Sequence, residues 1–269
     1  MNEKVALGKS ALYRDSYAPE LLEPIGRDLS RSNLFQAALP FTGVDIWTAY
    51  ELSWLTPRGK PQVAIAEFEF PFDSKSIVES KSFKYYLNSL NQTVYSSWLD
   101  VRSLLIRDLS RACGGEVNVR LCGLDDALPL DRLSGNCVDG LDVEIDGYMP
   151  SASLLALEGE QSVSDVQMYS HLLKSNCPVT GQPDWASVWV EYSGKKICPS
   201  SFLRYVISYR QHQDFHENCV EKFFKDITDT CQPEALSVYA RYTRRGGLDI
   251  NPFRTNCGRA VPARRLSRQ

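Results

Sequence analysis

The chain contains an internal repeat, and this feature most restricts its possible folds. Four residues recur in the same order 119 positions further along the sequence. The matched pairs are Ser82 with Ser201, Phe83 with Phe202, Tyr86 with Tyr205, and Ser89 with Ser208. Repetition at one fixed offset indicates that a single structural unit occurs more than once. We therefore expect two tandem copies of one module within the 269 residues.

Both copies show the same order of hydrophobic patterns. Alternating apolar residues predict strands, and apolar residues at helical spacing predict helices. In the first copy we expect strands over 45–55, 62–70 and 117–121, helices starting near 80 and 97, and a further strand over 141–145. In the second we expect strands over 185–192 and 237–243, a turn at 194–195, and helices over 202–209 and 220–229. Strand, strand, helix, helix, strand in each copy predicts an α+β protein.

These patterns also divide the chain into segments. Residues 1–40 are polar without a clear period, so we expect an irregular N-terminal arm. We place the first module at 41–150, a linker of weak structural signal at 151–170, and the second module at 171–269. The copies differ in their chemistry, which suggests that one site is assembled from both.

Composition excludes several classes of protein. A net charge of −3 and a pI near 5.7 do not favour a general nucleic-acid binder. No apolar run approaches the roughly 20 residues that span a bilayer, and the first residues show no signal-peptide pattern. The 8 cysteines include no CxxC pair. We therefore expect reduced thiols, no membrane association and a cytoplasmic location.

The candidate chemistry lies in the second module. Cys177 and Asp184 are seven positions apart in a loop stiffened by two prolines and a glycine, and His216-Glu217 follow later. A thiol beside an acid can serve as a nucleophile with a proton source. By themselves, these residues leave other interpretations open: Cys177 as a buried structural thiol, Asp184 as a turn residue, or Glu217 as a helix-dipole partner. A thiol hydrolase or transferase using Cys177 and His216, a zinc site, or a non-enzymatic purine- or pterin-binding module also fits.

Four separated motifs resemble the QueF family of NADPH-dependent 7-cyano-7-deazaguanine reductases, in its longer two-module branch. The motifs are Glu79-Ser80-Lys81-Ser82-Phe83-Lys84, the loop from Cys177 to Trp185, Asp214-Phe215-His216-Glu217, and Tyr242-Thr243-Arg244-Arg245-Gly246-Gly247. They occur in the family's order and cover nearly all of the chain from about Gly26 onward. The resemblance implies tandem tunnelling-fold modules, in which antiparallel sheets are backed by paired helices and subunits associate. It also implies a homodimer.

The resemblance further implies a reaction in queuosine biosynthesis, a tRNA modification, and a role for each motif. A deazapurine nitrile would be reduced to a primary amine by two NADPH, with no metal and no direct nucleic-acid partner. The family pattern makes Cys177 the nucleophile and Asp184 the proton donor, and it places His216 in the catalytic group. Substrate contacts are expected from Val78, Glu79, Ser80, His216 and Glu217, and NADPH contacts from Ser80, Lys81, Arg245 and Gly246. The sequence has no GxGxxG motif, so NADPH is implied by the resemblance alone.

Overall fold

A computed structural model describes residues 14–36, 38–126, 129–261 and 265–269. The strands are β1 (Pro24–Gly26), β2 (Thr42–Leu55), β3 (Pro61–Pro71), β4 (Ser76–Val78), β5 (Asn118–Cys122), β6 (Asn136–Cys137), β7 (Leu157–Asn176), β8 (Pro183–Ile197), β9 (Ala235–Tyr242) and β10 (Leu248–Thr255). The α-helices are α1 (Asp28–Leu34), α2 (Ser80–Asn88), α3 (Trp98–Cys113), α4 (Pro199–Ser208) and α5 (His216–Cys231). Short 3₁₀ turns cover Pro19–Leu21, Ala152–Leu154 and Tyr209–Gln211.

The two modules share one eight-stranded sheet of order β5-β3-β2-β10-β9-β8-β7-β6. Its strands pair antiparallel except for β6, which runs parallel to β7. The modules join where β10 pairs with β2, from Leu248 opposite Ala49 to Thr255 opposite Thr42. The predicted α+β class with antiparallel sheets and paired helices is therefore confirmed. The shared sheet also joins the two modules across a continuous hydrogen-bonded surface.

Each module has its own hydrophobic core and the same link between its paired helices. One core packs β2, β3 and β5 against α2 and α3, and the other packs β7, β8 and β9 against α4 and α5. Tyr86 on α2 donates to Asp108 on α3 at 2.8 Å, and Tyr205 on α4 donates to Asp226 on α5 at 2.6 Å. The repeat detected in the sequence is thus reproduced in the helix packing.

Local signals explain where several helices begin and end. The Ser97 side chain caps α3 by accepting from the Asp100 N–H at 3.1 Å. Gly114 ends this helix in the left-handed region, with φ 68°, a conformation that costs glycine little. α5 begins at His216, with Phe215 at its N-cap position and the polar Asp214 directly before that. The N-termini of α2 and α5 both lie beside the joint between the modules. Their first polar residues, Ser80 and His216, therefore lie close together.

Several expectations drawn from the sequence differ from the structure. The linker expected at 151–170 is wrong: it contains a 3₁₀ turn and most of β7, whose first half is largely exposed and therefore lacks an apolar pattern. The strand expected over 141–145 is absent from the described chain, and the turn at 194–195 lies inside β8 opposite Val163. Residues 14–36 of the expected irregular arm form β1, α1 and a 3₁₀ turn, whereas 1–13 lie outside the described residues. Ion pairs of Arg27 and Arg31 stabilise this segment, and its side chains Tyr17, Leu21 and Leu22 pack against the core of the first module.

Within the described residues, no helix is long and apolar enough to cross a bilayer.

Candidate active site

All the predicted site residues line two adjoining cavities at the joint between the modules. The first cavity is bordered by Val78, Glu79, Ser80, Cys177, Asp184, His216 and Glu217. The second is bordered by Ser80, Lys81, Arg245 and Gly246, among others. Glu79, Ser80, Cys177, His216 and Arg245 border both. A single chain therefore brings the first module's motif and the second module's thiol into one site.

Cys177 follows β7 in a tight loop that returns directly into β8. The Cys177 N–H donates to the Gln182 carbonyl at 2.9 Å, and the Gly181 N–H donates to the Cys177 carbonyl at 2.9 Å. Burial by itself raises the pKa of the thiol, but hydrogen bonds from Thr180, the Val179 N–H and Arg245 outweigh it. The pKa of Cys177 is therefore lower than its ordinary value. A lowered pKa favours the thiolate, which is the nucleophilic form.

Asp184 lies at the start of β8 and is only 4% exposed. Its Oδ1 is 3.1 Å from Arg245 Nη2, and its Oδ2 is 3.4 Å from His216 Nε2. These contacts point its carboxyl group into the cavity between a guanidinium and an imidazole. A role as a turn residue before a strand does not by itself account for this burial and pairing. The arrangement fits a group that exchanges a proton with a ligand.

His216 is the first residue of α5, and its ring stacks on Tyr242. The ring centroids are 3.8 Å apart and the planes differ by 23°. This stacking fixes the imidazole so that its Nε2 faces Asp184. Tyr242 is the last residue of β9, so the sheet sets the orientation of the histidine. Sequence reasoning had assigned no role to this tyrosine.

Glu217 follows in the first turn of α5 and is 2% exposed. Its Oε1 is buried and has no hydrogen-bond partner. Burial, reinforced by the nearby negative charge of Asp45, raises the pKa of Glu217, although His216 and Arg27 oppose the rise. An unpartnered buried carboxylate oxygen is costly. This atom is therefore poised to accept a hydrogen bond from a ligand that enters the cavity.

Glu79 caps the start of α2 from the opposite wall. Its carboxylate accepts from the Lys81 N–H at 3.0 Å and from the Ser82 N–H at 2.6 Å. The Ser80 hydroxyl lies 3.4 Å from the same carboxylate. Each carboxylate oxygen can accept more than one hydrogen bond. The capping role and a ligand contact are thus compatible, although Glu79 is more fully engaged than Glu217.

The second cavity is cationic and bordered by a glycine turn. Lys81, Lys84 and Arg245 border it, together with Gly246. Gly246 has φ 56°, and an added Cβ there would lie 2.5 Å from Lys84 Nζ. Glycine therefore lets the backbone approach this lysine closely. Two lysines, an arginine and exposed backbone suit the phosphates of a dinucleotide, so the donor set fits NADPH.

Three contributions to the site were missed from the sequence alone. Phe215 and Trp47 border the first cavity, where their rings give it flat apolar walls. Lys84, which lies inside the first motif but was given no role, borders the second cavity. The aromatic Phe215 was visible inside its motif, but nothing in the sequence indicated that Trp47, on a strand of the other module, would reach the same cavity.

The described ranges contain no group of three or more His, Cys, Asp or Glu side chains placed to bind a metal ion. The two-module α+β fold, with a thiol of lowered pKa and a buried acid in a cavity at the joint between the modules, has the features of an enzyme that acts on a small ligand. The comparisons with known proteins also place the chain among enzymes.

Two family models match the chain. Residues 13–121 match the N-terminal model described as nitrile reductase, 7-cyano-7-deazaguanine-reductase, and residues 183–260 match the QueF-like protein model. An NADPH-dependent 7-cyano-7-deazaguanine reductase of Saccharophagus degradans is 62% identical over 267 residues, covering 98% of this chain and 99% of the relative. Proteins of the same name from Teredinibacter turnerae and Azoarcus sp. are 57% and 54% identical, covering 92% and 94% of this chain and 90% and 91% of theirs. The chain therefore belongs to the family of NADPH-dependent 7-cyano-7-deazaguanine reductases, which are oxidoreductases.

Among solved structures, the apo form of the archaeosine synthase QueF-Like matches with a TM-score of 0.34 and 24% identity, covering 38% of this chain and all of that one.

Proposed function

We propose that this protein reduces the nitrile of 7-cyano-7-deazaguanine to the primary amine, with two NADPH as co-substrates, in queuosine biosynthesis. The observation that carries the proposal is the shared cavity of Cys177 and Asp184, in which the thiol has a lowered pKa and the acid is buried. Family membership supports the nitrile substrate and NADPH.

The first chemical step is addition of the Cys177 thiol across the carbon–nitrogen triple bond. Sulfur bonds to the nitrile carbon and Asp184 delivers the proton to nitrogen, which gives a covalent thioimide without loss of atoms. NADPH supplies hydride: one hydride and one proton convert the thioimide to an imine as the thiol departs, and a second pair converts the imine to the amine. Arg245 and His216 contact the Asp184 carboxyl group and hold it in position for this step.

Recognition of the deazapurine falls to the carboxylates at the helix starts. A 2-aminopyrimidinone edge presents neighbouring N–H donors, and a carboxylate can accept from two at once. Glu217 is suited to this contact because its Oε1 has no protein partner, and Glu79 faces the same cavity. Phe215 supplies an apolar wall against the flat ring, with Val78 and Ser80 beside it.

The cationic cavity is assigned to NADPH. Lys81 and Arg245 would bind phosphate groups, and the Gly246 backbone would let them approach closely. Because Arg245 also contacts Asp184, the cofactor site and the proton donor share one side chain. The proposal therefore places the deazapurine and NADPH in cavities that share bordering residues, Cys177 among them.

The test is to mix protein, 7-cyano-7-deazaguanine and NADPH, and to follow loss of the NADPH absorbance together with formation of the amine by mass spectrometry. Without NADPH, intact-mass measurement should show one adduct per chain. Cys177→Ala should abolish both signals, whereas the half-buried thiol of Cys198 provides the matched control, Cys198→Ala. Constant NADPH absorbance with wild-type protein would instead favour a thiol hydrolase or a binding module.

We also propose that the protein is a homodimer. The sheet ends at β5 and β6, which are short, and open sheet edges are usually paired or covered. Beside β5, the side chains of Trp98 and Leu99 are exposed. Light scattering should give about twice the 30.4 kDa chain mass, and a fully active monomer would refute the dimer.

A further inference from the structure

A buried chain of ion pairs lies behind the wall of the first cavity. It joins five side chains: Arg27 and Arg31 of the N-terminal segment, Asp45 on β2, Arg254 on β10 and Glu221 on α5. Arg27 Nη2 is 2.5 Å from Asp45 Oδ2, and Arg254 Nη1 is 2.7 Å from Asp45 Oδ1. Arg254 Nη2 also donates to Glu221 Oε1 at 2.8 Å. The cluster thus connects both modules and the N-terminal segment.

Arg31 is the link between the N-terminal segment and α5. Its Nε donates to Glu221 Oε2 at 2.9 Å, and its Nη2 donates to Glu221 Oε1 at 2.5 Å, a bidentate pair. The same Nη2 donates to the Phe72 carbonyl at 2.7 Å, beyond the end of β3. Bidentate arginine–carboxylate pairs fix geometry as well as charge. Arg31 therefore fixes α5 against a loop of the first module.

Glu217, which α5 presents to the cavity, lies one helical turn before the contact of Glu221 with Arg31. Glu217 and Glu221 are four positions apart, so they lie on the same face of the helix. Glu217 also experiences the charges of Asp45 and Arg27, in addition to that of its neighbour His216. With Glu217 included, the group contains three arginines and three carboxylates. Arg27 favours the charged form of Glu217, whereas Asp45 opposes it. The contribution of Arg31 to the site is therefore made through the position of α5.

We propose that Arg31, supported by Arg27, is a positioning residue for Glu217, so that recognition of the substrate depends on the N-terminal segment. The inference rests on the proposed function, because Glu217 is taken to bind the deazapurine. The family motifs that carry the chemistry do not include either arginine. Neither residue contacts the reacting atoms in this scheme; both act through Glu217 and α5.

The experiment compares full-length variants by the rate of adduct formation with 7-cyano-7-deazaguanine in the absence of NADPH. Arg31→Gln is the test variant, because Glu221 keeps Arg254 as a partner in it. Arg31→Lys keeps the charge without the bidentate contact. Arg14→Gln is the matched control, since Arg14 belongs to the same segment but forms an exposed ion pair with Glu20. Each variant is also measured for NADPH affinity.

Arg31→Gln should raise the nitrile concentration for half-maximal adduct formation by about 10- to 100-fold. The limiting rate and the NADPH affinity of Arg31→Gln should stay near wild type. Arg14→Gln should resemble wild type in these measurements. Arg31→Lys should recover part of the loss in nitrile affinity. In a Glu217→Gln background, Arg31→Gln should add less than about a twofold effect, because both changes act on one contact.

Unchanged half-saturation in Arg31→Gln would overturn the inference. The inference would also be overturned if Arg31→Gln lost NADPH affinity as strongly as nitrile affinity, or if its defect and that of Glu217→Gln multiplied in the double variant. Either result would mean that Arg31 only stabilises the fold. Should Arg31→Gln not fold, Arg31→Lys carries the same comparison. Wild-type protein that neither forms the adduct nor consumes NADPH would refute the proposed function itself, a result distinct from a defect confined to the variants.

Discussion

Replacement of Asp184 by asparagine separates its proposed role as proton donor from a structural one. The amide has nearly the same shape as the carboxylate. It retains an oxygen that can accept from Arg245, whose Nη2 is 3.1 Å from Asp184 Oδ1 in the wild-type structure. What it loses is the negative charge and the ability to deliver an acidic proton. Since His216 is fixed by stacking on Tyr242, the surrounding geometry should persist in the variant.

The expected magnitudes for the two roles differ strongly. The Arg245 side chain is 38% exposed, so water can still solvate its guanidinium when the charge of Asp184 is removed, and the expected loss of stability is about 1 kcal/mol. A general acid contributes roughly 100-fold or more in rate, which corresponds to about 2.7 kcal/mol in the activation free energy. Asp184→Asn should therefore unfold at nearly the wild-type denaturant midpoint but form the thioimide at least about 100-fold more slowly.

The assay is single-turnover adduct formation by rapid mixing and intact-mass detection, paired with denaturant unfolding. Asp229→Asn is the control, because this carboxylate forms an exposed pair with Lys225 on the far end of α5. Adduct formation by Asp184→Asn within a few-fold of wild type would refute the proton-donor assignment. A large stability loss that accounts for the missing activity would make Asp184 a structural residue.

Other expected outcomes concern the thiol, the cofactor and the buried charges. Thr180→Val removes a hydrogen bond that lowers the pKa of Cys177, so alkylation of Cys177 by iodoacetamide should shift to higher pH; an unchanged profile would contradict this. Lys81→Ala should raise the Michaelis constant for NADPH and leave adduct formation without NADPH intact; an equal defect in both would remove Lys81 from the cofactor site. Burial raises the pKa values of Asp45 and Glu221, but their arginine partners outweigh it and hold both below the ordinary range. Their contribution to stability is then present above about pH 4 and is lost as pH falls further. Acid unfolding monitored by circular dichroism measures this loss. Stability that stays constant from about pH 5 to about pH 2 would contradict the expectation.

The sequence by itself determined the repeated unit, its class and the chemistry of its motifs. Periodicity along the chain is a local property, so the helices from Ser80 and Ser97 and the strand over 62–70 could be predicted from neighbouring residues alone. The same local character explains the failure at 151–170. The first half of β7 is stabilised by hydrogen bonds to β8 while its side chains remain exposed, and such a strand shows no apolar alternation.

Only the tertiary structure decided how the motifs meet. Pairing of β10 with β2 brings the start of α2 next to the start of α5, although they are far apart in the sequence. Burial of Glu217 without a partner for its Oε1 and the ion pair of Arg31 with Glu221 follow from that packing. Burial and ion pairing between distant segments depend on three-dimensional distance. For this reason the sequence indicated the thiol and the acid, whereas the orphaned carboxylate oxygen and the arginines behind it became visible only in the folded chain.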